Sequence, residues 1–411
     1  MSEPRAWPRP WAFGVLILPV AVYFGFTSTP LPFLLRKAGV SVYEIGTIGS
    51  ILQLPNILVF LWAPMVDVKL RRRTWLVLSA LATAIFLWIA LLFVNASGVH
   101  AVTVLLLLGG VSVSLVLASS GGLMVTSLPV ADQSKAAAWN QAGYLAGGAL
   151  GGALVLWLVT RLPLVLSGLI AALVLCLPGL VALTLPEKEP TVSHWFKGRI
   201  SALKGEIGGV WKTPVRRWTA LLLMAPAATG AAQGLLPAIA SHYGVGASGV
   251  IWINGLGGAI ALAAGSLLGT MVPPDWDGRI VYAGAGLSNG IAGIVLMSVS
   301  GQTGYLVGTI VYLVTQGLCW ARFTGLIVEI VGPDTQDAST LYSALAAAGS
   351  IPLAYMTWLD GFGYLKFGTH GLLMTDAAGN LIVFVIVLVI FLANGLRFRH
   401  APGAIAADAN R

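Results

Sequence analysis

The chain has 411 residues, of which 57% are hydrophobic and only 9% are charged. Soluble domains carry about a quarter of their residues as charged side chains, so this composition excludes a set of water-soluble domains. The net charge of +8 does not indicate nucleic-acid binding, because the basic residues lie in the loops between apolar runs.

Apolar runs long enough to cross a bilayer recur along the whole chain. A spanning helix needs about 20 mainly apolar residues. The first run is too long for a signal-peptide core, so we expect it to be retained. The rule predicts twelve spans, near residues 11–34, 43–66, 74–95, 99–123, 136–160, 162–185, 217–241, 247–271, 279–299, 303–331, 338–358 and 379–397.

The basic residues predict the orientation of these spans. With the N-terminus inside, 18 of the 23 Lys and Arg fall on the cytoplasmic side, four fall outside, and Arg322 lies within a span. The positive-inside rule therefore predicts a multi-pass protein of a bacterial inner membrane with both termini in the cytoplasm.

The longest loop divides the chain into two sets of six spans. We predict an N-terminal six-helix half at 1–185, a cytoplasmic linker with an amphipathic helix at 186–216, and a C-terminal half at 217–411. The halves share a pattern in their second loops, where a proline precedes an aspartate and an arginine follows that aspartate by four residues. The fold class predicted is an all-α membrane protein of two pseudo-symmetric six-helix halves.

Several stretches resemble a known transporter family: residues 60–67 (FLWAPMVD) with 71–75 (RRRTW), residues 139–157 with their many small side chains, and residues 340–345. Through them the chain resembles the major facilitator superfamily and, within it, the AmpG-like permeases, which include peptide, acetyl-CoA and siderophore transporters. The resemblance implies alternating access and proton-driven import. Relatives carry acidic residues in the fourth span, whereas this chain reads ASSGGLM at 118–124, so a coupling scheme based on those acids does not transfer.

Charged residues at the span ends are candidates for gating. Asp67 abuts a span end and is predicted to pair with one of three arginines, forming a latch that breaks during rocking. The alternative is that the arginines only anchor the topology. The predicted gating set is Asp67, Arg71, Arg72, Arg73, Asp275 and Arg279.

Arg322 and Glu329 are the charged residues of the tenth predicted span. They lie two turns apart on one helix face, so we expect them to share a polar environment without a direct bond. Glu329 is the predicted proton-coupling residue, because the sequence shows no other obvious intramembrane carboxylate. Arg322 either binds an anionic substrate or is a structural residue that reaches the cytoplasmic surface.

Polar and aromatic groups inside spans predict a neutral-polar cavity, since each is costly in lipid without a partner. Helix–helix hydrogen bonding is the alternative role for each of them. A run of glycines at 143–152 predicts a close-packing face. The predicted substrate-binding residues are Tyr23, Gln53, Asn56, Gln141, Tyr144, Gln316, Trp320 and Arg322.

This cavity suits a bulky, partly aromatic solute with a modest negative charge, and the short form with twelve spans resembles the siderophore-importing branch. We therefore predict a secondary transporter of an iron-siderophore complex, with a muropeptide permease as the alternative and a channel or receptor as the alternative of another class. No enzyme motif is present in the sequence, and we predict no cofactor and no metal site. The expected partners are a small-molecule substrate, a proton and the lipid bilayer, without nucleic acid, and the expected state is a monomer.

Overall fold

The structure is a computed structural model, and it describes residues 9–62, 65–66, 70–128, 130–186, 208, 211, 214–273, 276–331 and 344–393. Helices make up the regular structure throughout these residues, and no strand occurs among them. The predicted amphipathic helix of the linker lies outside the described residues. The fold is that of an all-α membrane protein, as the sequence predicts.

The helices of the first part of the chain are α1 (Ala12–Leu16), α2 (Leu18–Ser28), α3 (Pro30–Lys37), α4 (Val42–Ile51), α5 (Leu54–Ile57), α6 (Val59–Trp62), α7 (Arg72–Leu92), α8 (Val99–Ser127), α9 (Val130–Arg161) and α10 (Leu164–Cys176). The second part has α11 (Pro214–Leu223), α12 (Leu236–Ile239), α13 (Ala247–Val250), α14 (Gly258–Leu268), α15 (Gly278–Ser298), α16 (Gly301–Val331) and α17 (Ser350–Ala393). A π-helical segment, Ile251–Gly257, joins α13 to α14.

Within the described ranges, nine helical segments are long and apolar enough to cross a membrane. The predicted second and seventh spans are not among them, because both are broken into short helices. Proline explains the breaks, since Pro55 and Pro226 cannot donate a backbone hydrogen bond. The twelve-span form stays a prediction.

The last two predicted spans differ from the sequence prediction. They form one element, α17, which is interrupted only at Phe367 and Gly368, where the backbone leaves helical geometry. Residues 359–378, predicted to be a loop, are therefore helical. The prediction was wrong here because three charged residues and four glycines in this interval lower its hydropathy and end the apolar windows.

The chain forms two compact units. The first comprises Met1–Gly198 and Gly234–Ala259, and the second comprises Arg199–Gln233 and Ile260–Arg411. Residues 234–259 group with the first unit, where α12 packs on α3 and the π-helical segment packs on α9. These bounds differ from the predicted halves, which assign that stretch to the C-terminal half.

The core of the first unit depends on close backbone approach. Glycines of α9 pack against α2, and a Cβ added at Gly152 would lie 2.6 Å from the carbonyl oxygen of Gly25. A side chain at Gly151 would likewise meet Val22 at 2.9 Å. The predicted close-packing face of the 143–152 run is confirmed. In the second unit, α15 packs on both α16 and α17.

Candidate functional site

The second unit contains an unwound stretch of backbone between α11 and α12. Regular helix ends at Leu223, and only a 3-10 turn at Ala231–Gly234 precedes α12. Ala228 has φ 56° and Gly230 has φ 63°, a left-handed geometry that breaks the helical ladder. Backbone groups freed in this way are costly in a bilayer unless the protein satisfies them.

Side chains from α15 and α17 satisfy this backbone. Two tyrosine hydroxyls donate to its carbonyls, and one asparagine oxygen accepts from its amide. The bonds are Tyr355 Oη to the Met224 carbonyl at 2.9 Å, Tyr282 Oη to the Ala227 carbonyl at 3.0 Å, and the Ala228 amide to Asn380 Oδ1 at 2.7 Å. These three hydrogen bonds thus stabilise the unwound conformation. None of the three side chains was predicted as a site residue.

Gln316 lies against this stretch. Its carboxamide occupies the space that a side chain at Gly230 would need, and the residue is 0% exposed. Neither its Oε1 nor its Nε2 has a hydrogen-bond partner among the described residues. A buried polar group without a partner costs about 1–3 kcal/mol, so Gln316 is a group that a polar ligand would satisfy.

Two buried carboxylates in the same unit lie within electrostatic range of each other. Asp360 and Asp376 lie in the two arms of α17, both are 0% exposed, and they are close enough to interact electrostatically. Tyr312 of α16 donates its hydroxyl to Asp376 Oδ2 at 3.0 Å. Neither oxygen of Asp360 has a partner in the described part of the chain.

These two aspartates correct the sequence prediction that Glu329 is the only intramembrane carboxylate. They were missed because the hydropathy windows ended before Asp360 and resumed after Asp376. A signal was present: an acidic residue stands on each side of a glycine-rich interval with a central Phe-Gly pair, which fits a helical hairpin better than a long loop.

In the first unit, the predicted polar residues occupy different environments. Tyr23 is buried and donates its hydroxyl to the Leu106 carbonyl, so this hydroxyl already has a protein partner. Asn56 Nδ2 donates to Gln53 Oε1 at 3.3 Å, which places the two on one face, as their spacing predicts. Pro55 between them packs at Gly110, beside the Tyr23 hydroxyl.

The predicted pair on α9 is more open. Tyr144 is half-buried, with its ring centroid 6.1 Å from that of Phe24 in an edge-to-face arrangement, and Gln141 is exposed. Of the five predicted residues in this unit, Gln53, Asn56 and Tyr144 therefore have polar side chains that are partly exposed.

Arg72, one of the three clustered arginines, contacts the end of α8. Its Nη1 donates to the Gly122 carbonyl at 3.1 Å and to Thr126 Oγ1 at 3.2 Å, near the end of α8. Arg71 precedes α7 and Arg73 lies in its first turn. Asp67 lies outside the described residues, so the latch stays a prediction.

The matching cluster in the second unit contains a close ion pair. Arg279 pairs with Asp277 through two bonds, Nε to Oδ1 at 3.0 Å and Nη2 to Oδ2 at 2.5 Å. Asp277 also caps the start of α15. Asp275, the predicted gating acid of this cluster, lies outside the described residues, so its role stays a prediction.

Glu329 belongs to this same cluster. Its carboxylate lies beside Gly278 at the start of α15, it interacts electrostatically with Asp277, Arg279 and Arg322, and the residue is exposed. A carboxylate at a helix N-terminus is stabilised by the helix dipole. The environment of Glu329 is therefore that of a helix-end ion cluster.

Arg322 is half-buried, and its Nε is buried without a hydrogen-bond partner among the described residues. Trp320 is 45% exposed, and its ring packs edge-to-face on Phe323 at 5.8 Å between centroids. Gln316, one turn earlier on the same side of α16, is fully buried. The two predicted residues therefore differ in exposure although they lie one turn apart.

Comparison with known proteins agrees with this architecture. The model of the Major Facilitator Superfamily matches residues 12–356. Among solved structures, a D-xylose-proton symporter superimposes with a TM-score of 0.70 at 12% identity, covering 92% of this chain and 96% of the other. The nucleoside transporter NupG gives 0.71 at 12% identity, with coverage of 93% and 98%. A POT family transporter solved with a thioalcohol-conjugated peptide gives 0.69 at 11% identity, with coverage of 93% and 96%. At these identities the structural matches establish the fold alone.

Proposed function

The chain belongs to the major facilitator superfamily, and from this premise we propose that it imports an iron-siderophore complex by proton-coupled alternating access. It is a multi-pass membrane transporter. The proposed setting is a bacterial inner membrane, with both termini in the cytoplasm and a monomer as the working unit. Within the superfamily we propose the AmpG-like permeases as its group.

The observation that carries the binding part of the proposal is Gln316 beside the unwound stretch. Substrate sites in secondary transporters are typically formed at discontinuous helices, where backbone groups face a cavity. Here the amide of Gln316 is buried with unmade hydrogen bonds at such a break. A solute with carbonyl, hydroxyl or amide groups would supply the missing partners.

Each unit also offers proposed contacts of its own. In the first unit, Gln53, Asn56 and Tyr144 offer partly exposed amide and phenol groups. Tyr23 packs behind them in the core, and Gln141 is exposed on α9. Arg322 supplies the positive charge that a weakly anionic complex requires, and Trp320 an aromatic face for stacking. This set has few fixed charges, which fits a siderophore better than a highly charged nucleotide thioester.

Growth under iron limitation tests the substrate. Cells with and without the gene are supplied with one siderophore at a time, chosen as a hydroxamate, a catecholate and a carboxylate type, and uptake of radioiron is measured for each. We expect loss of uptake for at least one of them, restored by the wild-type gene and not by a Gln316→Leu variant present in the membrane at equal amount.

The muropeptide alternative is an outcome of the same strains. If every siderophore stays usable while recycling of cell-wall anhydro-sugars stops, the substrate is a muropeptide and the siderophore proposal fails. A Gln316→Asn variant is the matched control, because it keeps the amide on a shorter side chain and is expected to retain part of the uptake.

A further inference from the structure

Asp360 and Asp376 form a fully buried carboxylate pair, and neither oxygen of Asp360 has a hydrogen-bond partner among the described residues. We propose that this pair is the proton-binding site of the transporter, with the proton carried on Asp360 and Asp376 kept ionised. This inference rests on the proposed function, because it names the group that couples a proton to that transport.

The two residues come together because α17 turns back on itself. Gly363 and Gly371 bring the two arms into backbone contact, since a Cβ at Gly363 would lie 2.5 Å from the Gly371 carbonyl oxygen. Asp360 is three residues before that contact and Asp376 is five residues after it, so their depths differ by only about 3 Å along the helices. Both side chains are 0% exposed.

Burial of two carboxylates requires charge compensation. Two ionised carboxylates in a low-dielectric interior repel each other and lose their hydration, and such pairs therefore hold a proton or a cation. The titratable side chains that face the pair from α16 are Tyr312 and Cys319, both neutral donors, and Tyr282 of α15 and Tyr355 of α17 lie next to them. Nearer the α17 break, Lys366 and His370 are exposed and lie about 9 Å along the helix from Asp360 and Asp376 respectively.

The surroundings distinguish the two aspartates. Asp376 accepts from the Tyr312 hydroxyl and is approached by the backbone amide of Ala232 in the unwound stretch. Donors stabilise the charged form of a carboxylate. Asp360 receives no such donor from the described residues, so the proton is more stable on Asp360.

A second observation, independent of the acids, points to a polar ligand here. Gln316 lies one helical turn from Tyr312, is fully buried, and has both amide atoms without partners among the described residues. It touches the unwound stretch at Gly230, two residues from the amide that approaches Asp376. Proton binding and occupancy of the substrate position thus act on the same stretch of backbone.

The ligand set favours a proton over a divalent metal. Across the described ranges, no group of three or more His, Cys, Asp and Glu side chains surrounds the pair, and divalent cations in proteins take several anionic or carbonyl ligands. Asp360 and Asp376 by themselves supply fewer anionic ligands than such a cation takes, and Asp376 Oδ2 already accepts the Tyr312 hydroxyl.

The first test needs no substrate. The full-length protein is reconstituted in liposomes, and the carboxylic C=O absorption is followed by infrared difference spectroscopy as the pH is raised. We expect one buried carboxyl band that disappears with rising pH in the wild type and is missing in Asp360→Asn. Asp376→Asn should shift its loss to lower pH because the neighbouring charge is gone, and Glu329→Gln should leave it unchanged.

A further variant keeps the test decisive if an aspartate variant fails to fold. Tyr312→Phe removes a donor that stabilises ionised Asp376, so part of the shared proton should move to Asp376 and the carboxyl band should shift in frequency or split. A wild-type band in Asp360→Asn, an unchanged band in Tyr312→Phe, or loss of the band on adding sodium at constant pH would overturn the proposal.

Transport provides the second test. A pH difference of one unit coupled to one proton supports about ten-fold accumulation. Vesicles with Asp360→Asn should lose this accumulation and reach an inside-to-outside substrate ratio of about one. They should still exchange the radioiron-labelled siderophore that the growth test identifies. If the band titrates as expected and no siderophore is transported, the substrate assignment fails and the proton site stands. Accumulation at the wild-type level in Asp360→Asn would remove the proton site and leave the substrate assignment intact.

Discussion

Substitution of two glycines of α9 tests whether backbone contact holds the first unit together. Gly152 and Gly148 lie one turn apart on the same helix face. A Cβ at Gly152 would lie 2.6 Å from the carbonyl oxygen of Gly25, whereas a Cβ at Gly148 would lie 3.4 Å from its nearest neighbour, the Ala21 carbonyl oxygen. The first distance requires the helices to separate, and the second is an ordinary van der Waals contact.

The expected magnitude follows from that difference. Overpacking of a close interface costs about 1–3 kcal/mol, while replacing glycine by alanine inside a helix gains up to about 1 kcal/mol. The helix gain is common to Gly152→Ala and Gly148→Ala. The difference in their free energies of unfolding should therefore isolate the clash at about 1–3 kcal/mol, with Gly148→Ala at or above the wild-type stability.

The assay is reversible unfolding of the purified variants in mixed micelles, followed by circular dichroism. Gly121→Ala supplies the baseline, because nothing lies within 4 Å of a Cβ at that position. Equal stability of the Gly152 and Gly148 variants would refute the reasoning, since it would mean that the interface has room at both positions.

Three further predictions concern the second unit. Asn380→Ala leaves the Ala228 amide without its acceptor and should lower the free energy of unfolding by about 1–3 kcal/mol, measured by the same unfolding assay; an unchanged value would contradict the role given to this bond. Arg322→Lys should keep weak siderophore binding and Arg322→Ala should lose it, measured by equilibrium binding, because lysine keeps the charge without the planar fork; wild-type affinity in the alanine variant would make the arginine structural. Asp277→Asn should reduce uptake more than Asp275→Asn at equal membrane insertion, because Asp277 is the ion-pair partner of Arg279; the reverse order would make Asp275 the more important acid for gating.

Long uninterrupted helices were the part of the fold that the sequence predicted well. The helices Arg72–Leu92 and Gly278–Ser298 follow from apolar runs of the expected length. The small-residue spacing in α9 also predicted its packing face, because close approach of helices in a bilayer requires small side chains. Both signals are local, so one sequence is sufficient to read them.

The unwound stretch and the buried carboxylates could not be predicted in the same way. Proline at 226 indicates a break, but the partners that satisfy the freed backbone come from residues 282, 355 and 380, far away in the chain. Asp360 and Asp376 lower the hydropathy of the helices that contain them. A rule based on apolar length therefore assigns to loops the buried charged residues that are most informative about the chemistry of the transporter.

The hairpin of α17 also has a consequence for biogenesis. An aspartate at the centre of an isolated spanning helix raises the free energy of membrane insertion by about 2.5–3.5 kcal/mol, and each arm of α17 carries one. Entry of the two arms together would shield each carboxylate with the other arm and with the tyrosine of α16 before either met lipid. The turn at Phe367 and Gly368 is short enough for such joint entry, so the final stage of membrane integration should depend on helices that were synthesised earlier.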